Sequence, residues 1–129
     1  MRAGYFDPVT EQRVETDVSA ADLHELVDVV SRLRTQRGTP TIEMTKSDGS
    51  TLSFSFDDEC AFLVWTDALG ESSHSLGGRF ERDLVFDYFG SWSEAPAEYL
   101  VRYADGLAAV VEFLRVGSPV TDSIIFSPD

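Results

Sequence analysis

The chain has 129 residues, 43% hydrophobic and 12% aromatic, a composition that fits one globular domain over residues 1–129 and excludes a disordered acidic tail. Its 23 Asp and Glu against 10 Lys and Arg leave a formal net charge of -13. A field of that sign repels nucleic acid and anionic lipid, and it attracts basic proteins.

In chain order, Tyr5 and Phe6 predict a first strand, stopped by Asp7-Pro8. Asp17 to Ser19 offer helix caps, and Ser19 with Asp22 approximates a capping box. Leu23, Leu26, Val27, Val30 and Leu33 then recur at helical spacing and predict an amphipathic helix, with Arg32, Arg34 and Arg37 at its end and Gly38 and Pro40 terminating it. The period switches to two at Ile42 and Met44. A hairpin turn at Ser47-Asp48-Gly49-Ser50 follows, and Leu52, Phe54 and Phe56 alternate on the return strand. Asp57-Asp58-Glu59 reads as a charged turn and Ala61–Thr66 as a buried strand.

Residues 67–78 are polar and read as a loop. Leu84, Phe86 and Tyr88 predict another strand, residues 89–97 a structured aromatic loop, and Tyr99–Val101 a short strand. Leu107, Val110, Val111 and Leu114 mark a second helix from about Ala104 to Val116, capped by Gly117, with Pro119 beyond it. Ile124, Ile125 and Phe126 close the chain as a strand. The expected fold is α+β: an antiparallel β-sheet meander with two amphipathic helices packed on one face.

Enzyme signatures are missing: there is no G-x-S-x-G, Walker loop, C-x-x-C or H-E-x-x-H. His24 and Asp28 lie one helical turn apart, but a metal needs more ligands and a solvated helix face explains both. His74 lies in a Ser-rich polar loop. No metal and no cofactor are expected. Cys60, the single cysteine, allows no internal disulfide, fits a reducing compartment and reads as a small buried hydrophobe. The N-terminus lacks an apolar signal core, and no apolar run approaches the ~20 residues that span a bilayer, so the cytoplasm is the expected location.

Charge is unevenly distributed along the chain. No Lys or Arg lies between Lys46 and Arg79, where Asp48, Asp57, Asp58, Glu59, Asp67 and Glu71 occur. None lies between Arg82 and Arg102, where Asp83, Asp87, Glu94 and Glu98 occur. If these loops share one end of the sheet, they form an anionic patch. Trp65, Tyr88, Trp92 and Tyr99 lie among the acids, and acid with exposed aromatic suits an Arg-rich partner through paired charges and cation–π contacts. Trp65 is more often core; Trp92, beside Gly90, is the better interface candidate. The candidate partner-binding residues are therefore Asp57, Asp58, Glu59, Asp67, Glu71, Asp87, Trp92 and Glu94. Hydrolysis by loop carboxylates is a rival reading, but no pair stands out at a fixed separation.

The block Val85-Phe86-Asp87-Tyr88-Phe89-Gly90-Ser91-Trp92-Ser93-Glu94-Ala95-Pro96 resembles the first family of bacterial immunity proteins from polymorphic toxin systems. The helix Asp22–Leu33, the strands Leu52–Phe56 and Phe62–Trp65, the stretch His74–Gly77 and the ending Ala108–Phe126 follow that family's order. The resemblance covers about Val14 to Phe126. Phe126 stands where the family often has Trp. The resemblance implies a non-catalytic cytoplasmic α+β protein. Separately, the free chain is expected to be a monomer or weak homodimer. Its partner would be a cognate toxin, a nuclease or nucleic-acid deaminase that is basic because its substrate is a polyanion. An acidic adaptor or small-ligand-binding module is the alternative.

Overall fold

The computed structural model describes residues Met1–Asp129. Its elements are β1 (Arg2–Asp7), β2 (Gln12–Asp17), α1 (Leu23–Ser31), β3 (Thr39–Pro40), β4 (Ile42–Thr45), β5 (Thr51–Phe56), β6 (Cys60–Thr66), β7 (Ser72–Leu76), β8 (Leu84–Tyr88), β9 (Ser91–Ala95), β10 (Val101–Arg102), α2 (Tyr103–Val116) and β11 (Ile125–Pro128). The meander is β4-β5-β6-β7, all antiparallel. The β1–β2 hairpin extends it beside β4, and β11 closes the other edge beside β7.

Alternation decides which face each strand buries. In register, Ile42 opposes Phe54, Met44 opposes Leu52, Phe54 opposes Leu63 and Phe56 opposes Ala61. All of these are buried, and they form one core with Leu23, Leu26, Val27 and Val30 of α1 and Ala109, Val110 and Phe113 of α2. Both helices therefore cover the same face of the sheet. The opposite face is covered in part by a small second sheet of order β3-β8-β9, in which β3 runs parallel to β8. Cys60, Leu84, Phe86, Ala95 and Leu100 form a second core there, with Phe62 and Phe80 packed against it. Neither helix is long and apolar enough to cross a membrane.

Several elements differ from the sequence expectation. Residues 12–17, 72–76 and 91–95 are strands, although the last two read as loop and the first carried no prediction. The sequences Gln-Arg-Val-Glu-Thr-Asp, Ser-Ser-His-Ser-Leu and Ser-Trp-Ser-Glu-Ala lack a strong apolar alternation. Their pairing with β1, β6 and β8 makes them strands. Residues 97–99 form a 3-10 turn before β10. The capping box of Ser19 and Asp22 is present, on a 3-10 turn that leads into α1. Gly117 ends α2 in the left-handed conformation, its N–H donating to the Phe113 carbonyl.

The helix α2 lies close to the sheet at Gly106. A Cβ there would stand 2.7 Å from the Cβ of Ala61, with Phe54 and Leu63 close behind. Ala61 cannot swing away, because its Cβ is fixed to a strand paired on both sides. Gly106→Ala therefore lowers stability by about 1–2 kcal/mol even though alanine favours helix; urea unfolding of both proteins measures it.

Candidate partner-binding site

In the β5–β6 turn, one Asp57 oxygen accepts the backbone N–H groups of Glu59 (2.8 Å) and Cys60 (2.9 Å). The other accepts from Arg82 at 2.9 Å. Burial pushes this carboxyl up, but the two amides and the Arg82 guanidinium outweigh it and hold it below the usual carboxylate range. Asp57 thus builds the turn. Asp58 and Glu59 project outward, their side chains 91% and 74% exposed, with looser pairs to Arg34 (3.6 Å) and Arg82 (3.9 Å). The Glu59 carbonyl accepts the N–H of Tyr103 at 3.0 Å and so ties the turn to the start of α2. Burial and the neighbouring Asp57 push the Cys60 thiol up to about 12. It stays protonated at neutral pH and serves as packing.

Asp67 and Glu71 lie in the β6–β7 turn. Successive turns of a meander alternate ends, so the seven-residue β6 separates them from Asp57–Glu59 by about 20 Å. Asp67 accepts the N–H groups of Leu69 and Glu71. Both acids line an open groove of about 730 Å³ with Trp65, Val120, Ile124, Phe126 and Asp129. The Trp65 indole N–H is buried there without a partner, and its ring meets Phe126 edge-on at 5.9 Å. Asp129 bonds Ser72 and His74, and His74 packs on Tyr99 at 4.2 Å. His24 stands exposed on α1. No group of three His, Cys, Asp or Glu side chains is disposed to hold a metal ion.

The small sheet gathers the remaining candidates. Asp87 opposes Trp92 and Val85 opposes Glu94, so alternation puts all four on its outer face. Trp92 is 58% exposed and Tyr88 43%. Asp87 is fully buried, which removes it as a direct contact. One of its oxygens accepts the Gly90 N–H at 2.8 Å, and the other faces the Arg37 guanidinium at 3.6 Å, beyond hydrogen-bond reach. Arg37 in turn donates to the Gly90 carbonyl at 3.0 Å. These contacts hold the two-residue β8–β9 turn. Phe89 and Gly90 both sit at positive φ (49° and 93°), the pattern of a type I′ turn. Phenylalanine resists that conformation by roughly 1–3 kcal/mol. The Arg13 guanidinium over the Phe89 ring, 4.7 Å from its centroid, and the edge of Tyr88 help to hold it.

The eight nominated residues thus fall into three groups, and the acidic turns do not share one end of the sheet. The condition for a single anionic patch, that the acidic loops share one end of the sheet, is not met, because the meander sends alternate turns to opposite ends. The structural partners Arg37, Arg34 and Arg82 escaped the sequence reading, since each lies at least 23 positions from the acid it meets, and no local pattern encodes such a contact.

The family model for immunity protein Imm1 matches residues 12–119, which takes in both helices, the small sheet and the large sheet apart from β1 and β11. This chain belongs to the Imm1 family of immunity proteins. No curated protein matches the sequence. The matched residues include the three-stranded sheet with Trp92 and the β5–β6 turn; the part of the groove formed by Val120, Ile124, Phe126 and Asp129 lies outside them.

Asp87→Ala leaves Arg37 without its counter-charge and frees the β8–β9 turn, and lowers stability by about 2–3 kcal/mol, below the cost for a fully buried pair because Arg37 is partly solvated. Thermal and urea melts measure this. Asp57 has a depressed folded-state pKa, so its stabilisation is complete above the unfolded carboxylate value and is lost as pH falls through the folded one. Stability therefore declines below about pH 4, and Asp57→Asn flattens that decline; urea midpoints from pH 7 to pH 3 compare the two proteins.

Proposed function

We propose that this immunity protein binds a cognate, basic toxin domain, a nuclease or nucleic-acid deaminase, in the cytoplasm. It neutralises the toxin by covering its functional surface and performs no catalysis itself. The observation that carries the reading is Trp92: a large aromatic side chain, 58% exposed, on a sheet pinned by a buried carboxylate. A rigid exposed Trp buries much area with little loss of conformational freedom, which is why such residues dominate binding energy. Glu94 shares its face and the exposed acids Asp58 and Glu59 extend from the neighbouring turn.

A standard interface buries about 800 Å² per partner. That suffices for the small sheet and its adjoining turn, and not for the far groove as well. Trp92, Glu94, Asp58 and Glu59 then make direct contacts. Asp67 and Glu71 contribute through the long-range field, while Asp57 and Asp87 shape the loops. Exposed ion pairs do not cancel the net charge of -13 seen by an approaching cation. A basic toxin is steered inward, which raises the association rate.

Co-expression with the toxin domain encoded in the neighbouring reading frame, scored for survival and for a purified complex, tests the reading. Trp92→Ala speeds dissociation by about 10–100-fold while the fold is kept. Asp58→Lys with Glu59→Lys slows association at low salt and leaves release nearly unchanged. Unchanged association with faster release in that double variant counts against steering. Turnover by the purified chain, lost on substituting one Asp or Glu, supports a hydrolase. Survival that is indifferent to every acidic loop supports an adaptor or small-ligand module.

A further inference from the structure

We propose that β9 is an open docking edge, to which the toxin adds an extended strand antiparallel to Ser91–Ala95. The inference rests on the reading of this chain as a toxin-binding protein and names how the two chains join.

Hydrogen-bond parity carries the argument. The Asp87 carbonyl accepts the Thr41 N–H at 3.0 Å, so Val85 and Asp87 turn their backbone groups toward β3. Leu84, Phe86 and Tyr88 therefore bond to β9, through Ala95, Ser93 and Ser91. The N–H and C=O groups of Trp92 and Glu94 point the other way. No strand lies there, since β9 ends the small sheet. No side chain or loop of the chain supplies them with a partner.

The other sheet edges are protected. The edge strand β2 carries Arg13, Glu15 and Asp17, β11 ends on Pro128, and β3 is buried beneath α1. Natural proteins blunt free edges with such charges, prolines and covers. β9 contains no Pro, Lys or Arg, and Pro96 falls only after its last residue. Its exposed Trp92 offers apolar area beside the unpaired backbone, as strand-addition sites do.

Charge selects the occupant. Glu94 is the only charge on β9, and no base lies between Arg82 and Arg102. A second copy of this chain brings its own excess of negative charge, -13, to the same edge. A toxin strand with Lys or Arg facing Glu94, and an apolar residue two positions away against Trp92, satisfies the face.

Position 94 gives a clean test. Proline there removes an outward N–H while leaving the β8–β9 ladder intact, because edge strands accept proline on their solvent side. With the neighbouring-frame toxin domain, Glu94→Pro weakens binding by about 10–100-fold, more than Glu94→Gln, which removes only the charge. Thermal melting verifies that the variant folds. In the wild-type protein, amide exchange at Trp92 and Glu94 is fast when free and slows at least about 100-fold in the complex, whereas Ser91 and Ser93 are protected in both states. A complex in which Trp92 and Glu94 exchange as in the free chain overturns strand addition and leaves the inhibitor reading standing. A complex formed equally well by Glu94→Pro does the same. Absence of any complex overturns both. A dimer of the free chain that Glu94→Pro abolishes assigns the edge to a second copy and overturns the proposal.

Discussion

The strand β6 is buried on both of its faces, and this joins the two layers of the molecule. Ala61 and Leu63 point into the core shared with both helices, while Cys60 and Phe62 point into the core beneath the small sheet. One strand thereby couples two layers, and β3, packed against α1, β1 and β5, ties them a second time. The small sheet gains a rigid floor through Phe62 against Phe86 at 6.1 Å, and through Phe62 stacked on Tyr99 at the same distance. Without that floor, three short strands would be marginal in water. The position of Trp92 is thus set by residues on the far side of its sheet.

Electrostatics acts at two ranges. Close up, most arginines are used internally: Arg82 on Asp57, Arg37 on Asp87, Arg13 on Glu15 and Glu43. Arg32, Arg79 and Arg115 make no ion pair. Exposed pairs of this kind contribute little to stability, about 0–1 kcal/mol each, but they orient turns. Asp57 and Asp87 show the stronger use of a carboxylate, since the first accepts two backbone amides and the second one, and each so defines a turn. At longer range the excess of acid survives, and it favours cationic partners from any approach. The distribution over both ends of the sheet makes this a diffuse attraction; in the complex we propose, shape at Trp92 and along the edge of β9 supplies the specificity.

The Imm1 family membership and the geometry meet at the same segment. The block Val85–Pro96, which carried the resemblance in sequence, folds into β8, its strained turn and β9. The residue pattern there is costly for stability alone: a Phe at positive φ, a buried carboxylate and an exposed Trp. Local costs of that kind tend to gather where a surface serves binding.

How much was legible follows from what each signal depends on. The helices, the β4–β5 hairpin, the buried strand β6 and the α+β class were readable, because burial on one face imposes a period on the sequence that local chain geometry fixes. The capping box and the Gly117 terminus were readable for the same local reason. β2, β7 and β9 were not, because polar strands are made by the neighbour that hydrogen-bonds them. Composition and local periodicity carry the acid excess, the periodic cores and the kinship block. Folding alone puts the acidic turns at opposite ends, buries Asp87 against Arg37 and turns the backbone of Trp92 and Glu94 away from any strand. Each of those depends on contacts between residues far apart in the chain, and strand order and register exist only once the sheet has formed.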